Sequence, residues 1–233
     1  NYNVVVGDEA GTAITTGDNN VALGYAALIA NTTGYGNTAS GKDAMRLNTT
    51  GYYNSAYGYQ CLESNTTGAA NVAIGRNTLY ANTTASNNTG VGYNALSANT
   101  TASNNTAVGY LSLTANTTGD RGVAIGTSAL AANTTGAQNI GIGYLAMEAN
   151  TTGGANVGIG SGALGDNTTS NYNTAVGTLA LTANTTGTGN SALGTFALDK
   201  TTTGSFNTAF GYAALTQQTA TGSVYNTAMG YNA

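Results

Sequence analysis

A glycine recurs with a period of 17 residues along almost the whole chain, and no other feature constrains the fold as strongly. The glycines run from Gly7 to Gly211 in steps of 17, and the last step, to Gly230, is 19 residues long. The consensus unit is N-T-A-V-G-Y-x-A-L-x-A-N-T-T-G-x-x, with the recurring glycine in its fifth position. Fourteen units follow one another over residues 1–233 without a linker. The sequence therefore predicts one elongated repeat domain.

A unit of this length is too short for most repeat architectures. Helical repeats need about 33 residues or more, and propeller blades need about 40. Glycine and β-branched residues dominate the unit and the apolar spacing is not that of a heptad, which excludes a coiled coil. The pattern predicts an all-β parallel β-solenoid, or β-roll, of about 14 coils of 17 residues. Each coil is expected to contain a strand, a glycine turn, a second short strand and an Asn-Thr-Thr-Gly turn.

The apolar positions of the unit predict how its strand is buried. The third position is nearly always Ala or Gly, as at Ala107 and Ala175, and the fourth is mostly large and apolar, as at Val108. Because side chains alternate along a strand, these two positions lie on opposite faces. A strand with two apolar faces is covered on both sides. We expect one face to line the interior of the coil and the other to contact a second chain.

Stacking of equivalent positions gives a direct test of the one-coil-per-unit arrangement. Residues 17 apart should lie about one strand spacing apart, roughly 4.8 Å. Arg46 and Glu63 share the tenth position in consecutive units. The sequence therefore predicts that these two side chains form an ion pair between neighbouring coils.

The recurring pattern N-x-[AV]-[VI]-G-x-x-[AS], seen in Asn71–Gly75 and Asn173–Gly177, resembles the head repeat of trimeric autotransporter adhesins, the YadA-like head. It is also similar to repeats in phage tail fibres. The resemblance covers nearly the whole chain, from Asn3 to Ala233. It implies a left-handed parallel β-roll, three chains around one axis, and attachment to a surface. The units here are longer than those typical of the family, because the Asn-Thr-Thr-Gly turn lengthens each coil.

Composition argues against several classes of function. Only 6% of the residues are charged and His is absent, which removes Ser-His-Asp triads and every His-bearing zinc site. We therefore predict that the chain is not an enzyme and uses no cofactor or metal. A net charge of −4 with five scattered cations argues against nucleic acid. No apolar run approaches the roughly 18 residues of a membrane helix, so no membrane insertion by this segment is expected.

The sixth position forms a candidate ligand-binding stripe. Tyr alternates there with Asp, Lys, Arg, Ser and Thr, a composition that indicates a column facing solvent. Such a stripe could contact a glycan or a surface protein through its hydroxyls and rings. Stacking of Tyr between neighbouring strands would equally stabilise the sheet. The tyrosines of this column are Tyr25, Tyr59, Tyr93, Tyr110, Tyr144, Tyr212 and Tyr231.

The twelfth position begins an Asn-Thr-Thr motif that supports two interpretations. Each motif is formally an N-glycosylation acceptor. Alternatively, the stacked amides form a hydrogen-bonded Asn ladder from coil to coil, which we favour. The first position is a second such column, from Asn3 to Asn226, broken at Gly122. The asparagines of the twelfth position are Asn31, Asn48, Asn65, Asn82, Asn99, Asn116, Asn133, Asn150, Asn167 and Asn184.

These observations favour a non-enzymatic, extracellular structural or adhesive fibre segment that attaches to or assembles on a cell or virion surface. Self-association is expected, as a trimer or as an end-to-end filament, and a polymerising matrix subunit is the main alternative. An ice-binding solenoid is less favoured, because adjacent Thr residues such as Thr117 and Thr118 point to opposite sides. We expect both ends to be covered by further polypeptide or by the next subunit. Cys61 stands where Ala is the rule and is interpreted as a small buried residue.

Overall fold

A computed structural model describes residues 2–216, 222–223 and 225–233. These residues form β-strands and turns and contain no helix. The chain divides into two compact units, Asn1–Thr118 and Gly119–Ala233. In each of them, parallel strands follow one another in chain order. The predicted fold class, an all-β parallel β-solenoid, is therefore confirmed.

The first unit contains seven strands of three residues, one in each coil. Each strand occupies the second to fourth positions of its repeat and ends directly before the recurring glycine. The strands are β1 (Val4–Val6), β2 (Val21–Leu23), β3 (Thr38–Ser40), β4 (Ser55–Tyr57), β5 (Val72–Ile74), β6 (Thr89–Val91) and β7 (Thr106–Val108).

The second unit continues the same arrangement and adds a pair of two-residue strands. These short strands, β13 (Gly204–Ser205) and β15 (Gly222–Ser223), pair with each other in parallel. The strands of the main sheet in this unit are β8 (Val123–Ile125), β9 (Ile140–Ile142), β10 (Val157–Ile159), β11 (Thr174–Val176), β12 (Ser191–Leu193), β14 (Thr208–Phe210) and β16 (Thr227–Met229).

Neighbouring strands pair in parallel with equivalent positions side by side. Ala22 lies opposite Ala39 in the first unit, and Gly158 lies opposite Ala175 in the second. Across the 19-residue step the register is kept, since Ala209 lies opposite Ala228. One repeat is therefore one coil, as the period predicts.

Side chains of each strand alternate between the interior and the outer surface of the coil. The third position points into the coil and is fully buried, as at Ala107 and Ala175, whereas the second and fourth positions point outward. A Cβ built on Gly141, at this third position, would lie 3.0 Å from Cγ of Leu130. The small residue is therefore required by close contact with the large interior side chain of the preceding coil.

The interior of the coils is filled by a column of large side chains at the ninth position. These side chains are fully buried, and small residues of the third and eighth positions pack around them. A strip this narrow leaves no room for larger neighbours, which explains the Ala and Gly of the repeat. The column consists of Leu28, Met45, Leu62, Leu79, Leu96 and Leu113 in the first unit, and Leu130, Met147, Leu164, Leu181 and Leu198 in the second.

The predicted second short strand is wrong, because the residues after the glycine form a turn. The seventh and ninth positions adopt left-handed backbone conformations, with φ of 55° at Ala26 and 52° at Leu28. The amide of Ala26 donates to Asp8 O of the preceding coil (3.0 Å), whereas that of Leu28 donates to Ala44 O of the following coil (3.1 Å). The backbone amides of this turn therefore donate alternately to the preceding and to the following coil. The sequence of a single repeat does not reveal this arrangement.

Candidate functional site

Buried side-chain amides at the twelfth position form a ladder that runs from coil to coil. Asn48 Nδ2 donates to Asn31 Oδ1 at 2.7 Å and to Gly51 O within its own turn at 3.1 Å. The same pattern recurs in the second unit, where Asn150 Nδ2 donates to Asn133 Oδ1 at 2.7 Å. Every asparagine of the twelfth position named above is buried. These amides are thus engaged in the interior of the folded chain and do not present a glycosylation site at its surface.

The first-position asparagines make a second ladder with a different bonding pattern. Asn20 Oδ1 accepts from the backbone amide of Asn37 at 3.0 Å, and Asn37 Nδ2 donates to Gly51 O at 2.8 Å. The side chain of Asn37 thus donates to a turn carbonyl of its own coil, and its Oδ1 accepts from the backbone amide of Asn54 in the next coil at 3.0 Å. Buried polar groups that are paired in this way avoid the cost of unmade hydrogen bonds.

The two threonine columns have different surroundings. At the thirteenth position the hydroxyl donates to the backbone of the next coil, as from Thr49 Oγ1 to Thr66 O at 3.0 Å. At the fourteenth position the side chain is exposed, as at Thr50 and Thr67. The thirteenth-position hydroxyls are therefore bonded to the next coil, whereas the fourteenth-position side chains face solvent.

The sixth-position tyrosines are exposed and form a continuous stack with two cations in the first unit. Lys42 Nζ lies 5.5 Å from the ring centroid of Tyr25 and 6.0 Å from that of Tyr59. Arg76 Cζ lies 5.6 Å from the centroid of Tyr59 and 5.7 Å from that of Tyr93. At exposed sites each such contact contributes about 0.5–1 kcal/mol. Each of the two cations thus lies between two tyrosine rings and continues the stack.

The same column continues with aromatic stacking. Tyr93 and Tyr110 are parallel, with centroids 5.5 Å apart, and in the second unit Tyr212 and Tyr231 are 5.3 Å apart. Tyr144, also in the second unit, is exposed. Ring faces in these stacks are covered by their neighbours, whereas edges remain at the surface. The stacking that the sequence offered as an alternative to ligand binding is thus present.

The tenth-position column contains a polar network that crosses three coils of the first unit. Arg46 Nε lies 2.7 Å from Glu63 Oε1, which confirms the predicted ion pair. The Glu63 carboxylate is also the main cause of the raised pKa of Tyr80 in the next coil. The same carboxylate raises the pKa of Arg46. Glu63 is almost fully buried and therefore holds both neighbours in place.

Two adjacent clefts lie between the seventh- and tenth-position columns of the first unit. The amide cleft, of about 370 Å³, is lined by Gln60, Asn77, Tyr80, Asn94 and Ser97 together with Ala98. Gln60 also lines the neighbouring charged cleft, of about 330 Å³. That cleft includes Glu9, Asp43, Arg46 and Glu63.

The sequence did not predict these clefts, because it gave no role to the seventh position and predicted only the Arg46–Glu63 ion pair at the tenth. A signal was nonetheless present in the seventh column. In the first unit it reads Glu, Ala, Asp, Gln, Asn, Asn and then Leu at Leu111, whereas in the second unit it reads Ser, Leu, Gly, Leu, Phe, Ala and then Asn at Asn232. Polar residues are thus concentrated in one half of the chain at a position that tolerates many residue types.

The outward face of the main sheet carries a row of apolar side chains at the fourth position. Ile74 is 41% exposed, Leu23 and Tyr57 are similarly exposed in the same unit, and Ile125 and Leu193 are exposed in the second. Second-position side chains such as Val72 flank this row and are half-buried. Large exposed apolar patches are a feature of interaction sites in soluble proteins.

Cys61 is buried at the eighth position, as expected for a residue that replaces Ala. Its Sγ donates to Gly58 O at 3.0 Å. Burial raises the pKa of the thiol to about 12, so the thiol is neutral near pH 7. A buried neutral thiol is a poor nucleophile, and the structure gives Cys61 a packing role.

No further chemical centre is found among the residues that the structure describes. Those residues include no cluster of three or more His, Cys, Asp or Glu side chains placed to hold a metal ion. The same part of the chain has no helix long and apolar enough to cross a membrane. Comparisons with known protein families, with characterised proteins and with solved structures found no match to this chain.

Proposed function

We propose that the chain is a non-enzymatic structural and adhesive fibre segment that self-associates and attaches to a surface outside the cell, on a cell or a virion. The observation that carries this proposal is the exposed apolar row at the fourth position. Ile74 in the first unit and Ile125 in the second are each about 40% exposed in the single chain. Fully burying an exposed side chain of this kind contributes about 1.5–3 kcal/mol, so covering the remaining two fifths contributes roughly 1 kcal/mol at each position, and these contributions add along the row.

A second copy of the same chain is the partner that best fits this row. Fourth-position side chains are repeated once per coil, at the spacing of parallel strands. Another copy presents the same side chains at the same spacing, so their side chains can interdigitate over many coils. Glycine and small residues on the opposite face are already committed to the interior. The outward face is therefore the one available for contact between copies.

Repetition also suits the chain for attachment. Equivalent surface positions recur in every coil, and linked weak contacts bind far more tightly than any one of them alone. Stacked tyrosines of the sixth position and polar side chains of the seventh position are displayed in this way in the first unit. Attachment through many equal contacts needs no catalytic group.

The mass of the particles in solution tests self-association. We expect the chain, 23.0 kDa as a monomer, to sediment as an oligomer of defined size. Replacing Ile74 and Val91 with Lys places charges in the apolar row and should shift the protein toward the monomer. The matched control replaces Thr84 and Thr101, exposed residues of the same two repeats, with Lys, and should leave the mass unchanged.

A monomer at all concentrations would contradict the proposal. Particles that lengthen with concentration, and that persist in the Ile74→Lys, Val91→Lys variant, would instead favour an end-to-end filament. Circular dichroism of both variants establishes that they remain folded. Adhesion is measured separately, by the retention of protein-coated beads on intact cells under flow, with albumin-coated beads as the control.

A further inference from the structure

The amide cleft of the first unit has the size and chemistry of a ligand site. Its volume of about 370 Å³ lies within the usual range of small-molecule pockets. Gln60, Asn77 and Asn94 come from the seventh positions of three successive coils, whereas Tyr80 and Ser97 come from tenth positions. The cleft therefore runs along the coils and presents a row of side-chain amides opposite a ring and a hydroxyl.

The seventh position accepts side chains of different chemistry. It adopts the same left-handed conformation in both units, with φ of 55° at Asn77 and 54° at Leu145. Asparagine adopts this conformation more readily than leucine does, but Leu145 shows that the fold does not require an amide at this position. Asn77 and Asn94 nevertheless have buried Oδ1 atoms that accept no hydrogen bond. An unmade hydrogen bond at a buried acceptor is costly, and turning the amide about χ2 would bring this oxygen to a bound donor and remove that cost.

The opposite wall of the cleft is formed by tenth-position side chains. Tyr80 lies in the same column as Glu63, whose carboxylate raises the pKa of Tyr80 and pairs with Arg46. Ser97 Oγ lies 3.1 Å from Thr114 Oγ1 of the next coil. The wall therefore combines an apolar ring face with hydroxyl groups, opposite amides that both donate and accept.

We propose that the amide cleft binds a neutral oligosaccharide, as the recognition site of the adhesive surface. This proposal rests on the proposed function and names its ligand class. Sugar hydroxyls donate and accept hydrogen bonds, and therefore match a row of amides whose χ2 torsions adjust readily. The ring of Tyr80 supplies an apolar surface for the C–H face of a sugar. Three carboxylates, Glu9, Asp43 and Glu63, lie in the adjoining cleft with one cation, Arg46, and disfavour an anionic chain.

Titration calorimetry on the full chain tests the proposal with three probes. These are an oligosaccharide of plain hexoses, one of N-acetylated amino sugars and one of uronic acids, each long enough to span three coils. We expect at least one neutral probe to bind and the uronic acid probe to bind more weakly. The Asn77→Ala, Asn94→Ala double variant should bind the neutral probe roughly tenfold to a hundredfold more weakly, because two hydrogen bonds are lost.

The second unit offers a matched control at the same repeat positions. Ser128→Ala with Leu145→Ala changes the seventh position of two successive coils there and should leave binding unchanged. Tyr80→Phe keeps the ring but loses the hydroxyl, whereas Tyr80→Ala removes both. We expect affinity to fall in the order wild type, Tyr80→Phe, Tyr80→Ala. Melting curves identify any variant that has lost its fold, and the two Tyr80 variants then carry the test.

Two results would overturn the proposal. One is the absence of binding by both neutral probes, and the other is unchanged affinity in the Asn77→Ala, Asn94→Ala variant. In either case the sedimenting mass of the wild type still tests self-association, because the fourth-position row lies outside the cleft. Failure of the ligand site is thus distinguishable from failure of the fibre assignment.

Discussion

At the scale of single residues, the recurring glycine is fixed by two independent requirements. Its φ lies far outside the range of other residues, at 126° in Gly75 and 136° in Gly92. Its missing side chain also allows close stacking, since a Cβ built on Gly75 would lie 2.6 Å from the carbonyl oxygen of Gly92. Either requirement alone selects glycine, and together they explain why the fifth position does not vary.

Gly75→Ala should therefore destabilise the chain by at least about 1–3 kcal/mol, the usual cost of forcing such a backbone conformation. Two effects contribute: alanine is strained at this positive φ, and its Cβ would collide with the backbone of Gly92. Urea unfolding followed by circular dichroism measures this loss. Gly165→Ala is the control, because the tenth position already accepts Ala131. Its effect should stay within about 0.5 kcal/mol, and an equal loss in both variants would refute the explanation.

Cys61 gives the chain a defined response to high pH. The pKa of its buried thiol is raised from 9.0 to about 12, so above pH 9 the thiol ionises first in the unfolded chain. Stability that the neutral thiol contributes is therefore present below pH 9 and is lost as pH rises toward 12. Cys61→Ala should lose less stability over this interval than the wild type does. Melting temperatures across the interval check this, and parallel decline of both proteins would contradict it.

At the scale of the element, the coil is held by polar columns as well as by its apolar strip. The twelfth-position ladder ends at Asn184, because the next residue in that column is Thr201. Asn184 Oδ1 consequently has no hydrogen-bond partner although it is buried. Asn184 is thus the last side chain of the ladder, and no side-chain amide of the following coil donates to its oxygen.

Thr201→Asn should extend this ladder by one rung and stabilise the chain. The new side-chain amide can donate to Asn184 Oδ1, which is worth about 0.5–1.5 kcal/mol. Thermal unfolding of the variant against the wild type measures the gain. Thr202→Asn places the same residue at the exposed neighbouring position and should change the melting temperature little. A lower stability for Thr201→Asn than for this control would show that the column does not accept the amide there.

At the scale of the whole molecule, cohesion between coils depends mainly on uncharged groups. Only 6% of the residues are charged, and the contacts described above are chiefly backbone bonds, amide ladders and apolar packing. The Arg46–Glu63 pair is one charged link between coils. Partly exposed ion pairs contribute at most about 1 kcal/mol, so charge has little influence on the stability of this fold.

Stability should therefore vary little with ionic strength. Between about 0.01 M and 1 M sodium chloride, over which charge interactions become fully screened, we expect the free energy of unfolding to change by less than about 1 kcal/mol. Urea unfolding at several salt concentrations provides the measurement. A larger loss of stability at high salt would mean that charged contacts hold the coils together. Glu63→Gln, which removes the ion pair, indicates how much of any change comes from that link.

The 17-residue period predicts which residues of neighbouring coils lie side by side. A period of 17 predicted the pairing of Ala22 with Ala39 and of Arg46 with Glu63, because equivalent residues must stack when each unit is one coil. It also predicted a buried third position and an exposed sixth position. The stacking of equivalent residues holds whatever outline the coil adopts, since it depends only on the repeat length. Which face of the strand is buried depends on the alternation of side chains.

The outline of the coil, and the surfaces that depend on it, follow from contacts between coils that the period does not specify. The left-handed conformations at Ala26 and Leu28 replace the expected second strand, and neither residue type favours that conformation on its own. The stacked coils stabilise it by bonding each amide to a neighbour above or below. This turn brings the seventh and tenth positions together, and so creates the cleft between Asn77 and Tyr80. Contacts within a coil thus depend on backbone dihedral angles, which the repeat length does not determine.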